Sequence, residues 1–226
     1  MHLLLTYDAI ALAATISKLP TVAPVAQSSV KMDNQELAKD KKAFWRFRHA
    51  QQCFEYVATT SAHVLREHWP PDHPLYYQIS IAVAVLYSRP FSDCFGIGKL
   101  DDAIVPPSLL PRHTKMLAMR NKVYAHYDAT DFADPSIADL QGEVRLNLTG
   151  LKATVEIKEA PLGELAFEQM KELSEVLEEK CRYHINRLME KYKRRLPTKR
   201  GIYYLNLSDA GEEFFSEKPT GRSFRR

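Results

Sequence analysis

The sequence predicts a mainly α fold, an antiparallel helical bundle with one β-hairpin inserted at about residues 142–158. Three observations predict it. Apolar residues recur at spacings of three, four and seven along several stretches, the signature of one buried helical face. Clusters of proline and glycine punctuate those stretches. One segment, around residues 142–158, switches to a period of two.

The first helix is expected from Asp33 to about Trp69, where Phe44, Phe47, Phe54, Val57, Val64 and Leu65 share a face. "WPPDHP" ends it, because proline lacks an amide donor and clashes with the preceding turn. The next stretch, "LYYQISIAVAVLY", is apolar on nearly every side and predicts a helix in the centre of the bundle. "SRPFSDCFGIGKLDDAIVPP" reads as a loop from its Pro, Gly and Asp content. A third helix is expected from near Ser108 to about Asp128. In "GEVRLNLTGLKATVEI", Val144, Leu146 and Leu148 alternate with polar residues, as do Leu151, Ala153, Val155 and Ile157, on the two sides of a Gly-containing turn. The last helix is expected from about Pro161, a residue tolerated in a first turn, to Leu196, with Ala166, Met170, Leu173, Leu177, Cys181, His184 and Leu188 as its apolar stripe. "GIYYLNLSDAGEEFF" then offers an edge strand. The expected division is a peripheral segment 1–31, a helical domain 32–200 and a tail 201–226.

The composition restricts function. At 226 residues with 45% hydrophobic and 26% charged residues, the chain is long enough to bury a core, and a formal net charge of +3 provides no general polyelectrolyte field. Any basic footprint has to be local. Three cysteines, Cys53, Cys94 and Cys181, stand far apart without a C-x-x-C spacing, so neither a zinc site nor a disulfide framework is expected, and a reducing cytoplasm is the simplest setting. Near the N-terminus, "LLLTYDAIALAATI" is apolar, but no Lys or Arg precedes it and Asp8 interrupts it, which argues against a secretory leader. It is also shorter than the ~20 apolar residues of a membrane span. Met32, which opens the helical pattern, is an alternative start.

The chemistry-bearing stretch is "RNKVYAH", residues 120–126. Cutting RNA without a metal requires a base for the 2′-OH proton and a cation for the charge that grows on the phosphate oxygens. His126 suits the first task by its near-neutral pKa, and Arg120 the second by its permanently charged fork. Asn121, Tyr124 and Lys122 could hold or orient substrate. His113, two helical turns before Arg120, is placed on the same face. Arg89 and Lys99, in the loop after the second helix, could touch RNA phosphates, as could Ser92. On one straight helix, however, Arg120 and His126 lie about 9 Å apart along the axis and roughly 120° apart around it. Either the helix ends near Ala125, or two chains build a composite site across a two-fold axis. The alternative reading is a helix C-terminus whose cations meet the dipole, with Arg120 paired to a carboxylate such as Asp128.

"RNKVYAH" fits R-x(4–6)-H with a polar residue after the arginine, and with the surrounding stretch "YSRPFSDCFGIGKLDDAIVPPSLLPRHTKMLAMRNKVYAHYDA" it resembles the HEPN superfamily. The resemblance covers residues 87–128 as motif and about 40–195 as a helical pattern. It implies a metal-independent endoribonuclease, in a toxin-antitoxin or phage-defence setting, with Arg120 and His126 as the catalytic pair and Asn121 between them. The implied partners are RNA, a second copy of the chain, and an antitoxin or other regulatory protein; no cofactor and no membrane are implied. The hairpin departs from the bare family core. Arg66 and His73 also fit the spacing, but Trp69, Pro70 and Pro71 interrupt them and Glu67 follows the arginine.

Other motifs are weaker. "GIGKL" lacks the full phosphate-loop spacing and follows no strand. His49, His63, His68 and His73 lack a carboxylate or cysteine that would complete a metal set. The last helix carries Glu164, Glu168, Glu172, Glu175, Glu178 and Glu179 early and Arg187, Lys191, Lys193, Arg194, Arg195, Lys199 and Arg200 late. That order suits the helix dipole, and equally suits an RNA contact by the basic end. The second functional reading is a non-catalytic helical dimer that binds RNA, a nucleotide or a protein with the same surface.

Overall fold

Apolar spacing dictates the long elements. In the computed structural model, which describes residues 34–121, 143–149, 152–158, 161–207 and 213–218, helix α1 runs Asn34–Arg66, α2 Tyr76–Ser88, α3 Leu110–Met119 and α4 Glu164–Lys191. Strands β1 (Glu143–Thr149) and β2 (Lys152–Lys158) lie between α3 and α4, and β3 (Tyr204–Leu205) and β4 (Phe215–Ser216) come after α4. The chain is mainly helical with a β-hairpin. All described residues fall within one compact unit, 33–226.

The main seam is α1 against α4, and it is antiparallel. Lys191 near the end of α4 reaches Glu36 and Asp40 at the start of α1, His184 stacks on Phe47 at 4.4 Å, and Gln51 donates to Glu178. Positions rise along one helix as they fall along the other. Between them lie Ala50, Phe54, Val57 and Val64 of α1 and Phe167, Met170, Leu173, Leu177 and Cys181 of α4, all buried. This burial of apolar surface is the main stabilising term.

Helix α2 departs from its expected central position. Tyr76, Val83 and Ala84 are buried, but Ala82 and Val85 face outward. Its seryl hydroxyls explain the fit: Ser80 and Ser88 donate to the carbonyls of Tyr76 and Ala84 one turn back, so small polar groups bury without penalty. Ser80 also accepts from the Leu162 amide, anchoring the entry of α4 against α2.

The hairpin has the expected position. Val144 stands opposite Ile157, Leu146 opposite Val155 and Leu148 opposite Ala153 in the antiparallel register. Leu146 and Leu148 are exposed.

The expected edge strand pairs instead within the tail itself. Leu205 stands opposite Phe215, and the Asn206 amide donates to the Phe214 carbonyl. Phe214 is 0% exposed, with its ring edge-on to Phe44 at 5.3 Å and tilted against Tyr192 at 4.8 Å. The tail thereby closes one end of the α1–α4 seam.

Candidate functional site

Helix α3 presents the leading candidates. A 3-10 turn at Pro107–Leu109 leads into it, and a proline in its first turn costs no hydrogen bond there. His113, Met116 and Met119 turn inward at helical spacing, and Arg112 forms an ion pair with Glu172 of α4. α-geometry ends at Met119. The Arg120 amide is shared between the carbonyls of Met116 and Leu117, and residues 120–121 enter a wider π-type turn. Such a turn shifts the angular position of the residues beyond it, and π-type turns recur at functional sites. The remainder of the helix expected to about Asp128 lies beyond this point. Lys122, Tyr124 and His126 lie outside the described residues, as does Asp128.

The Arg120 guanidinium is half-buried and donates to the Asn121 side-chain oxygen at 2.8 Å. Asn121 therefore orients one edge of the fork, whose geometry suits a phosphate or carboxylate oxygen.

His113 is not part of an exposed face with Arg120, which corrects the placement read from spacing. It is 1% exposed, with its ring edge-on to Phe91 at 4.5 Å. Its Nδ1 lies 2.7 Å from the Tyr87 hydroxyl, while Nε2 lies 3.5 Å from Asp102, beyond a good hydrogen bond. The tautomer that serves both neighbours has the Tyr87 O–H donating to Nδ1 and the proton on Nε2. One heptad of sequence does not reveal which side of α3 meets the core, so His113 could not be told from a surface residue.

Arg89 and Lys99 are exposed, as expected, but they flank a feature that sequence reading missed. Arg46 of α1 lines three adjoining grooves. The first, about 500 Å3, includes Lys39 and Lys42; the second, about 710 Å3, includes Lys99, Asp102 and His184; the third, about 300 Å3, includes Trp45, His49, Arg89 and Phe95. Arg46 donates to the Ile97 carbonyl at 3.3 Å, which ties α1 to the loop. In "GIGKL" Gly98 serves that approach: Gly96 and Gly98 have φ of +78° and +81°, and a Cβ on Gly98 would meet Arg46 Nη1 at 3.3 Å. Gly98→Ala is expected to cost about 1–2 kcal/mol, the penalty of an L-residue in the left-handed region, read as a lower urea midpoint at unchanged slope. The missed signal was present, since Lys39, Lys42, Arg46 and His49 follow helical spacing.

The last helix's basic end is partly committed to structure. Lys191 forms ion pairs with Glu36 and Asp40, which hold its pKa above the ordinary lysine range, and the Tyr192 hydroxyl donates to Asp40 at 2.8 Å. Burial and that hydrogen bond push Tyr192 up to about 12. Arg187 lies over the Tyr183 ring. Arg194, Lys199 and Arg200 are exposed.

The cysteine and histidine environments are those of packing. Burial raises Cys53 against the opposing effect of Arg89, and pushes Cys181 up to about 12, so neither is a ready nucleophile. His63 accepts from Arg66, and His73 stacks on Trp69 at 4.1 Å. Among the described residues no three His, Cys, Asp or Glu side chains are grouped to hold a metal ion, and no helix is long and apolar enough to cross a membrane.

Burial lowers the pKa of His113 despite Asp102, and lowers His49 and His184 with help from neighbouring cations, Arg89 for the first and Arg187 and Lys180 for the second. With folded values below 6.5, the unfolded chain binds more protons in the window beneath it. Their contribution is complete above about pH 6.5 and is lost as pH falls through the folded values. The urea midpoint should therefore decline between about pH 7.5 and pH 5, with a shallower decline in His113→Gln; a flat profile would refute the assignment.

Compared with protein-family models, with curated proteins and with solved structures, the chain matches none.

Proposed function

We propose that this chain is a metal-independent endoribonuclease of the kind its resemblance to the HEPN superfamily implies. The observation that supports it best is the end of α3, where α-geometry gives way to a wider turn at Arg120 and Asn121 orients the half-buried Arg120 guanidinium. A preset cation beside the motif is the feature phosphate chemistry needs. In the proposed reaction His126 takes the proton of the 2′-OH, the 2′-oxygen bonds to phosphorus, and the P–O5′ bond breaks. The departing 5′-oxygen takes a proton from the imidazolium or from water. Arg120 neutralises the charge that accumulates on the phosphate oxygens in between. The products are a 2′,3′-cyclic phosphate and a 5′-hydroxyl end. Two copies of the chain are the proposed assembly, with an antitoxin or other regulatory protein as restraint.

The test is incubation of the intact protein with mixed structured and single-stranded RNA in excess chelator, with both ends of the products identified. Cyclic phosphate and 5′-hydroxyl ends support the mechanism, whereas 3′-hydroxyl and 5′-phosphate ends contradict it. The basic grooves along α1 favour a second reading, a non-catalytic RNA-binding protein. Salt-sensitive binding without any cleavage identifies that case.

A further inference from the structure

The smallest of the three α1 grooves combines the two kinds of group that single-stranded nucleic acids require, and neither Arg120 nor Asn121 lines it. Among its lining residues, Trp45 stacks with His49 at 4.8 Å, nearly parallel. Arg46 and Arg89 line it together with Ser92, and Phe95 stands at its lip, 99% exposed. A phenyl ring left entirely in water at the tip of a charged loop forgoes its burial energy, unless it meets a flat partner on binding.

Resting on the reading of RNA as substrate, we propose that the groove between α1 and residues 89–98 is a subsite for one nucleotide of single-stranded RNA, with Arg46 and Arg89 on its phosphate and Trp45 and Phe95 against its base. A volume of about 300 Å3 lies at the small end of ligand sites, which suits one nucleotide. Arg46 commits one edge of its fork to the Ile97 carbonyl and keeps further donors for a phosphate oxygen. Because Arg46 also borders the grooves that hold Lys39 and Lys42 on one side and Lys99 on the other, a backbone has cations to track in both directions. Asp93 is the acidic residue in the lining; in the neighbouring groove Asp101 caps the Ala103 amide and Asp102 faces His113. Burial and then Arg89 lower the pKa of His49, which also lines the groove. Aromatic platforms beside a cationic track bind single strands with little sequence preference.

The test uses the full chain carrying His126→Ala, so that the probe stays intact, and a fluorescein-labelled oligouridylate, with binding read by anisotropy across a salt series. Phe95→Ala should weaken binding roughly tenfold with an unchanged salt slope, because stacking releases no counterion. Arg89→Ala should weaken it and reduce the slope by about 0.7. Both side chains are exposed, so these variants are expected to stay folded, whereas Arg46→Ala also removes the Ile97 contact and is the less decisive change. The subsite is overturned if both folded variants bind as their parent does, or if the parent fails to bind the oligouridylate, as it would were the surface a protein-docking site. Its failure is separable from that of the nuclease reading. Arg120-dependent cleavage untouched by Phe95→Ala and Arg89→Ala removes the subsite alone. Binding that depends on Phe95 and Arg89, in a chain whose unsubstituted form never cuts RNA, removes the nuclease alone.

Discussion

Arg120→Ala and His126→Ala are each expected to reduce RNA cleavage in chelator by roughly 10^2- to 10^4-fold, the usual contribution of a positioned acid–base group or of a charge-stabilising donor. Arg120→Ala should leave the fold standing, because the guanidinium is only half-buried and, among the described residues, its hydrogen bond is to the adjacent Asn121. Arg120→Lys is expected to fall between, since an ammonium keeps the charge and loses the fork. A double Arg120→Ala, His126→Ala variant should be little worse than the poorer single one, as groups that act on one transition state do not add. Single-turnover rates, with folding checked by circular dichroism, decide the matter. Wild-type rates in both folded variants would dispose of the catalytic pair.

Phe54→Ala should be the most damaging core substitution. Phe54 is 0% exposed and sits where three elements meet, with its ring 5.8 Å from that of Tyr87 on α2 and 5.9 Å from that of Phe91 just beyond it. Truncation leaves a cavity walled by other rings that cannot collapse into it, which costs about 3–5 kcal/mol. Against a total stability of about 5–15 kcal/mol for a native domain, that is a large fraction. The urea midpoint should fall accordingly at unchanged slope, and a loss below about 1 kcal/mol would show that the site relaxes freely. The same three-way junction holds His113 in place through Phe91 and Tyr87, so Phe54→Ala should also weaken the anchoring of α3, the helix that carries Arg120.

Local periodicity determined a good deal by itself. The helices, the hairpin between Val144 and Ile157 and the stripe Met170, Leu173, Leu177 and Cys181 were legible, because each depends on contacts between residues a turn or a strand apart. Proline and glycine marked the ends for the same local reason. The stretch 120–126 suggested phosphate chemistry from residue type alone, which sets what a guanidinium or an imidazole can do. What the tertiary structure alone decided is which face of each element meets which neighbour. It turned His113 inward against Tyr87, Phe91 and Asp102, moved α2 off the centre of the bundle, committed Lys191 to Glu36 and Asp40, and sewed Phe214 onto Phe44. It also set the 89–98 loop against α1, so that Arg46, unremarkable among the lysines and arginines of its helix, became the shared wall of three grooves. Each of those outcomes joins residues far apart in the chain, and the energy that selects them comes from long-range burial and charge pairing, which no window of local sequence contains.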